Sequence, residues 1–212
     1  MKEGKRKCRV CGCTDGDCRQ CVEKTGIPCH WVEEDLCSAC KTTVVSFTSI
    51  KGGTGKTNIT ILIAKCLAAA GKRVLLIDFD LNNSLSFHFL NEALMEQTKG
   101  KNIAVALGNE NNNLCDYTVE TTTPRIDLIA STPYLADLRA LNEKRLKRMP
   151  PALYGKYDIL IIDCPPTYNN IVLNAVNASD YTITPVLKYA VKDFVVTVHI
   201  RHILVVFIGG RS

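Results

Sequence analysis

The chain has 212 residues, 46% of them hydrophobic, and carries 26 basic against 21 acidic side chains for a formal charge of +5. This length suits one full domain plus a small appendage, and the apolar content excludes a chain without a buried core. The excess of positive charge is mild, so it permits contact with nucleic acid without requiring it.

At the front, residues 1–9 are basic and run straight into cysteines without an apolar segment, so no secretory signal is expected and the chain reads as cytoplasmic. In that setting eleven cysteines point to metal ligation rather than to disulfides. Eight of them, Cys8, Cys11, Cys13, Cys18, Cys21, Cys29, Cys37 and Cys40, lie in the first forty residues. Cys8-x-x-Cys11 and Cys37-x-x-Cys40 are the paired knuckles of a structural Zn²⁺ site, each gripping one side of a tetrahedral ion as thiolates. Cys13, Cys18, Cys21, Cys29 and His30 are spare ligands, enough in number for a second site. Iron–sulfur ligation uses the same thiolates, and reduced unligated thiols are the plain alternative. So small a segment has too little core to fold without a staple. Trp31 serves either as the module's miniature core or as a ring that stacks on a base. The cysteines thin out after Cys40, which divides the chain into a cysteine-rich module at 1–41 and a second domain at 42–212. The scattered Cys66, Cys115 and Cys164 read as buried apolar fillers.

In the second domain, residues 43–49 predict a buried strand, 51–55 a glycine-rich turn, and 56–70 a helix ended by Gly71. Further strands are expected at 73–78, 126–130, 158–163 and 181–186, none with clean polar alternation, as suits strands covered on both faces. Helices are expected at 84–97, 134–148 and 169–177, and an exposed loop at 109–113. Strands alternating with helices imply an α/β fold with a doubly wound, mostly parallel sheet. The apolar stretch 195–210 is interrupted by His199, Arg201 and His202 and falls short of the roughly 18–20 residues that span a bilayer, so no membrane contact is expected. Within it, 195–208 reads as β-like.

The segment from Lys51 to Thr57 (KGGTGKT) carries most of the chemistry. Glycines let backbone N–H groups close around phosphate oxygens while the following helix offers its positive end. Lys51, Gly52, Gly53, Thr54, Gly55, Lys56, Thr57 and Asn58 are the candidate nucleotide-binding set, with Lys56 reaching the β and γ phosphates and the Thr57 hydroxyl meeting Mg²⁺. A chance glycine-rich turn is the bland alternative. Asp78 and Asp163 end buried strands and so face the edge of the sheet where ligands bind in open α/β folds. Asp163 follows the apolar run 159–162, as a Walker B carboxylate does, and both aspartates are candidate Mg²⁺ ligands. Asp80 is the candidate for orienting the attacking water, or else a turn-forming aspartate.

At these residues the chain resembles the ParA/MinD/Soj family of deviant Walker P-loop ATPases. The match comprises KGGTGKT at 51–57, VLLIDFD at 74–80, and YDILIIDCPP at 157–166, followed by Leu173-Asn174-Ala175 and Asp180. The resemblance implies ATP with Mg²⁺, a face-to-face homodimer in which Lys51 contacts the partner's nucleotide, and slow hydrolysis supported by Asp80, with Lys51, Lys56 and Asp80 as the catalytic set. It also implies an ATP-bound dimer that partitions DNA, non-specific DNA contact, and a ParB-like partner protein. Two departures stand out. Leu81-Asn82-Asn83-Ser84 replaces a Pro-Gln-Gly type turn, and family pattern fades near 188–198, which leads us to expect a C-terminal part shortened by truncation or a change of frame.

Arg139, Lys144, Arg145, Lys147 and Arg148 crowd the helix expected at 134–148, where they either touch DNA phosphates or form a solvated face. Two other functions stay open: an iron–sulfur carrier of the Mrp or nitrogenase iron protein type, and a non-enzymatic zinc adaptor built on a remnant ATPase domain.

Overall fold

The computed structural model describes residues 6–108, 111–187 and 203–208. Two sheets organise them. Near the front, helix α1 (Arg19–Thr25) is followed by β1 (Trp31–Glu33) and β2 (Leu36–Cys37), which pair antiparallel as a small ribbon. From there the chain builds a larger sheet from β3 (Thr43–Phe47), β4 (Val74–Asp78), β5 (Val119–Glu120), β6 (Ile126–Ile129), β7 (Ile159–Asp163), β8 (Tyr181–Leu187) and β9 (Ile203–Ile208). Its order is β5-β6-β4-β7-β3-β8-β9, with only the β5 edge antiparallel. Its helices are α2 (Lys56–Ala69), α3 (Ser84–Phe89), α4 (Glu92–Gln97), α5 (Ile103–Gly108) and α6 (Asn170–Ala178).

Successive strand side chains point to opposite faces, so a sheet covered on both sides needs apolar residues at every position. The strands obey this. Val44, Leu75, Ile77, Leu160 and Ile162 enter one core with α5 and α6, whereas Val45, Val74, Leu76 and Ile161 enter the other beneath α2 and α3. The sheet is thus doubly wound as expected, and its carboxyl-terminal edge is open to a ligand.

Two of the expected elements change form. The helix at 84–97 is two helices, because Leu90 is extended and Asn91 restarts the chain as an N-cap, accepting the Leu94 N–H at 3.0 Å. In place of one helix at 134–148 there are short 3₁₀ turns, Pro133–Ala140 and Leu146–Arg148. Here Asn142 bonds its own neighbour, taking the Lys144 N–H at 2.9 Å, and Asn174 of α6 grips both sides of the break through the Leu146 N–H and the Asn142 carbonyl. The basic residues expected on that helix therefore share no helical face. Arg145 points inward to the Leu107 carbonyl at 3.1 Å, while Lys144, Lys147 and Arg148 are exposed. The expected β-like stretch at 195–208 holds β9, which runs parallel to β8; 195–202 and the expected frame change at 188–198 lie outside the described residues. Neither α5 nor the two-residue β5 was expected. Of the three fillers, Cys164 is buried and Cys115 partly so, but Cys66 is exposed on the outer side of α2.

The cysteine-rich segment docks at the amino-terminal ends of the large sheet's strands. The Gly155 N–H reaches the Cys40 carbonyl at 3.0 Å, Lys41 pairs with Asp180 at 2.5 Å, and Lys24 of α1 pairs with Asp158 at 3.0 Å. Gly155 has φ +76°, and a Cβ there would run into Val10, so the docking needs glycine twice over. Asp158 also takes the Arg73 backbone N–H at 2.9 Å and its guanidinium at 3.1 Å. Burial opposes its charge, but Arg73 and Lys24 outweigh burial and hold the carboxyl well below the usual range. A depressed carboxyl adds stability above its unfolded value near 4 and loses it as pH falls further. Asp158→Asn should therefore cost about 1–2 kcal/mol at pH 7, the modest end for charged hydrogen bonds because Arg73 is partly solvated. Denaturant unfolding at pH 7 and pH 3 checks this, since the gap between variant and parent should narrow in acid.

Candidate functional site

The glycine-rich loop leaves β3 and delivers the chain into α2. Gly53 and Gly55 have φ of +72° and +80°, left-handed values that glycine adopts without strain, and they bend the backbone so that α2 begins at Lys56. The loop forms one wall of a cleft of about 510 Å³ lined by Gly52 to Asn58, with Asp80, Asn82, Ser84, His88 and Pro166 opposite. All the expected loop residues except Lys51 line it. Lys51 is exposed on the loop just ahead of that wall, whereas Lys56 is 7% exposed.

β4 and β7 lie side by side in register, which sets Asp78 beside Asp163 at the open edge of the sheet. Both are fully buried. The Thr57 hydroxyl donates to Asp163 Oδ2 at 2.6 Å, and Asp163 Oδ1 is buried without a hydrogen-bond partner. An orphaned carboxylate oxygen beside a threonine hydroxyl is what a hexacoordinate Mg²⁺ with its water shell would satisfy. Desolvation first, then the nearby Asp78 and Asp80 charges, push the Asp163 carboxyl up to about 7 against the opposing pull of Thr57 and Lys56. Asp78 is raised to about 6, again chiefly by burial. Its Oδ1 accepts the Asp80 N–H at 3.0 Å, and its Oδ2 accepts the Ser86 N–H and hydroxyl at 2.9 and 2.7 Å. The side chain of Asp78 thus ties the 79–86 loop to the sheet.

Asp80 stands on that loop. Asn82 holds its Oδ1 through both backbone N–H and side-chain amide at 3.0 Å, and Asn83 turns the chain with φ +54°. Asparagine tolerates this left-handed turn better than most residues, which is how Leu81-Asn82-Asn83-Ser84 replaces a Pro-Gln-Gly type turn. His88 is a cleft residue that sequence reasoning missed. It sits 2.8 Å from the Lys65 ammonium, and burial together with that charge lowers its pKa. Its helical spacing from Ser84, on the short α3, was the available signal.

Known proteins share this sequence and fold in part. A family described as an AAA domain matches residues 42–199, the greater part of the chain. The chain belongs to that family, in its ParA/Soj branch of P-loop domains. It is 36% identical over 150 residues to the sporulation initiation inhibitor protein Soj of Bacillus subtilis, covering 68% of this chain and 57% of Soj. With the chromosome partitioning protein ParA of Caulobacter vibrioides it shares 31% over 153 residues, 67% of this chain and 55% of that one. It therefore spans little more than half the length of these relatives. A plasmid partition protein from Borrelia burgdorferi, solved with AMPPNP, superposes with a TM-score of 0.62 at 31% identity, over 72% of this chain and 65% of that one.

Behind this ParA-like sheet lies the cysteine cluster. The Sγ atoms of Cys8, Cys11, Cys37 and Cys40 all fall within 4.8 Å of one another, so the two knuckles converge. Cys8, Cys37 and Cys40 are buried, and Tyr154 of the ParA-like domain packs against the group. His30, a spare ligand by sequence, is exposed and joins no ligand group among the described residues. Trp31 donates to Asp15 at 2.7 Å and lies under the Arg6 guanidinium at 5.1 Å. Because the module meets the amino-terminal ends of five-residue strands, about 15 Å of sheet separates it from the phosphate loop. Among the described residues, no helix is long and apolar enough to cross a membrane.

Proposed function

We propose that the chain is a slow ATPase of the partitioning type, cycling between an ATP-bound dimer and a monomer to position DNA of a plasmid, phage or integrated element. The reading rests above all on Asp163 at the foot of a glycine loop: its Oδ1 is buried and unpartnered, while its Oδ2 takes the Thr57 hydroxyl at 2.6 Å. In this reading, the loop N–H groups and Lys56 hold the phosphates, and Thr57 and Asp163 hold Mg²⁺ with its waters. Asp78 positions Asp80 through the backbone bond between them, and Asp80 orients the attacking water. Lys51, exposed beside the cleft, reaches the nucleotide of the second subunit, so ATP stabilises the dimer by mass action and hydrolysis releases it.

The AMPPNP-bound Borrelia neighbour supports nucleotide as the ligand, and the Soj and ParA relatives support partitioning as the role. A ParB-like activator and non-specific DNA contact through Lys144, Lys147 and Arg148 belong to the same proposal. The residues 1–41 are taken as a module that binds one structural Zn²⁺ through Cys8, Cys11, Cys37 and Cys40, supported by their convergence. An iron-protein function would need its cluster cysteines after the loop, near the nucleotide; the convergent cysteines here precede it and sit behind the sheet.

Light scattering on the purified chain should show dimers with Mg-ATP and monomers with Mg-ADP, and Lys51→Ala should remain monomeric with either nucleotide. DNA affinity should rise with ATP and fall steeply with salt. A chain whose mass and DNA affinity ignore the nucleotide would remove the proposal.

A further inference from the structure

We propose that the module holds a second Zn²⁺, in Cys13, Cys18, Cys21 and Cys29, packed directly against the first. This builds on the single-site reading above, since the outer knuckles frame the inner set. In sequence the sets nest: the first pair at 8 and 11, the inner four at 13 to 29, the last pair at 37 and 40.

A tetrahedral Zn²⁺ with Zn–S bonds of about 2.3 Å has S–S edges of about 3.8 Å. The outer set shows such an edge, Cys11 to Cys37 at 3.6 Å, and the inner set shows another, Cys13 to Cys29 at 3.7 Å. Cys18, Cys21 and Cys29 lie mutually within 4.8 Å, while Cys13, which touches Cys29, also lies within 4.8 Å of Cys11, Cys21 and Cys37 at the junction of the two sets. The two sets also touch, because Cys21 is 3.7 Å from Cys11 and 3.8 Å from Cys37. Sulfurs in van der Waals contact across the boundary make the two ions near neighbours with eight thiolates between them, four for each.

Two further observations point the same way. In each set a backbone N–H is aimed at a sulfur, Cys37 to Cys8 Sγ at 3.5 Å and Cys29 to Cys18 Sγ at 3.1 Å, contacts that a thiolate accepts far better than a thiol. And the module has little apolar core. Its buried cluster consists of Leu36 and five cysteines, so with one ion at the outer knuckles α1 would be held chiefly by the polar contacts of Lys24 to the Ala39 carbonyl and to Asp158. A second ion joins the start of α1, its buried face at Cys21, and Cys29 beyond it. Cys18 and Cys29 stand 2.8 Å apart, closer than a tetrahedral edge yet well beyond the roughly 2.05 Å of a disulfide, so this edge opens by about 1 Å when the ion enters.

Native mass spectrometry with elemental analysis, on the full chain purified under reducing conditions, decides the stoichiometry. Two zinc ions per chain are expected, falling to one in the double variant Cys18→Ser, Cys29→Ser. One zinc in the parent, with Cys18 and Cys29 alkylated at once or found as a disulfide two mass units lighter, would overturn the second site and leave the single-ion reading intact. No zinc at all would sink both, and bound iron with visible absorption would replace both. Because the metal count of the parent protein alone separates these outcomes, failure of the variant to fold would not shield the proposal.

Discussion

Lys56→Ala should weaken Mg-ATP binding by about a hundredfold or more, the loss of roughly 3 kcal/mol expected when a buried charge-assisted contact to phosphate is removed. The size follows from where the side chain sits. Lys56 is the first residue of α2, 7% exposed, and close enough to Asp163 to pull that carboxyl's pKa downward. Its ammonium therefore serves two anions: the phosphates arriving over the loop and the carboxylate beneath them. Without it the arriving charge meets Asp163, Asp78 and Asp80 with no fixed cation between them. Lys51→Ala should behave differently, because Lys51 is exposed on the loop and its task lies in the second subunit. Calorimetric titration with Mg-ATP should find the Lys51 variant within a few-fold of the parent. Equal affinity in all three proteins would mean that nucleotide does not enter this cleft.

Asp163→Asn should make the metal-free protein more stable at pH 8 while abolishing the contribution of Mg²⁺ to nucleotide affinity. Burial raises Asp163 to about 7 and Asp78 to about 6, both above their unfolded values near 4. A carboxyl raised on folding contributes stability that is fully present below its unfolded pKa and is lost as pH rises through the folded one. The parent without metal should thus lose stability between about pH 4 and pH 7, as the two side chains are forced to ionise in a site that disfavours charge. An asparagine at 163 carries no charge to desolvate and can still accept the Thr57 hydroxyl, although its amide is left unpaired where Oδ1 stands now. The balance is a gain of about 1–3 kcal/mol at pH 8, a rise in melting temperature of several degrees for a chain of this size. Thermal melts from pH 5 to pH 8, with and without Mg-ATP, read both halves: a flatter pH profile for the variant, and less stabilisation by the ligand. An unchanged profile would show that Asp163 is not the group whose ionisation strains the apo site.

Both expectations trace to features that are partly visible in the sequence. The run from Lys51 to Thr57 specifies its own geometry, because Gly53 and Gly55 supply left-handed backbone within the segment itself and Lys56 opens the helix that follows. Asp163 was legible as the end of an apolar strand. The consequence that Oδ1 would be left without a partner was not, since it depends on Thr57, which lies 106 residues earlier in the chain. Asp78 shows the same limit. Its position at a strand end marked it as a candidate metal ligand, but Ser86 and the Asp80 backbone, which occupy its oxygens, come from the fold of the following loop.

Elements whose signals lie within a few residues were read from the chain alone: the buried strands, α2 and, to within a residue, α6. Where a residue's conformation depends on a distant partner, periodicity misled. The stretch 134–148 carries a helical pattern, yet Asn174 draws the backbone at Asn142 and Leu146 into turns. The pairing of cysteines into an outer and an inner set likewise needed three dimensions, because spacing along the chain specifies the bite of a Cys-x-x-Cys pair and says nothing of which sulfurs meet across a loop. Glycine dihedrals, caps and strand alternation are short-range properties of the backbone, whereas burial, orphaned acceptors and raised carboxyl pKa values arise only when remote segments exclude water together.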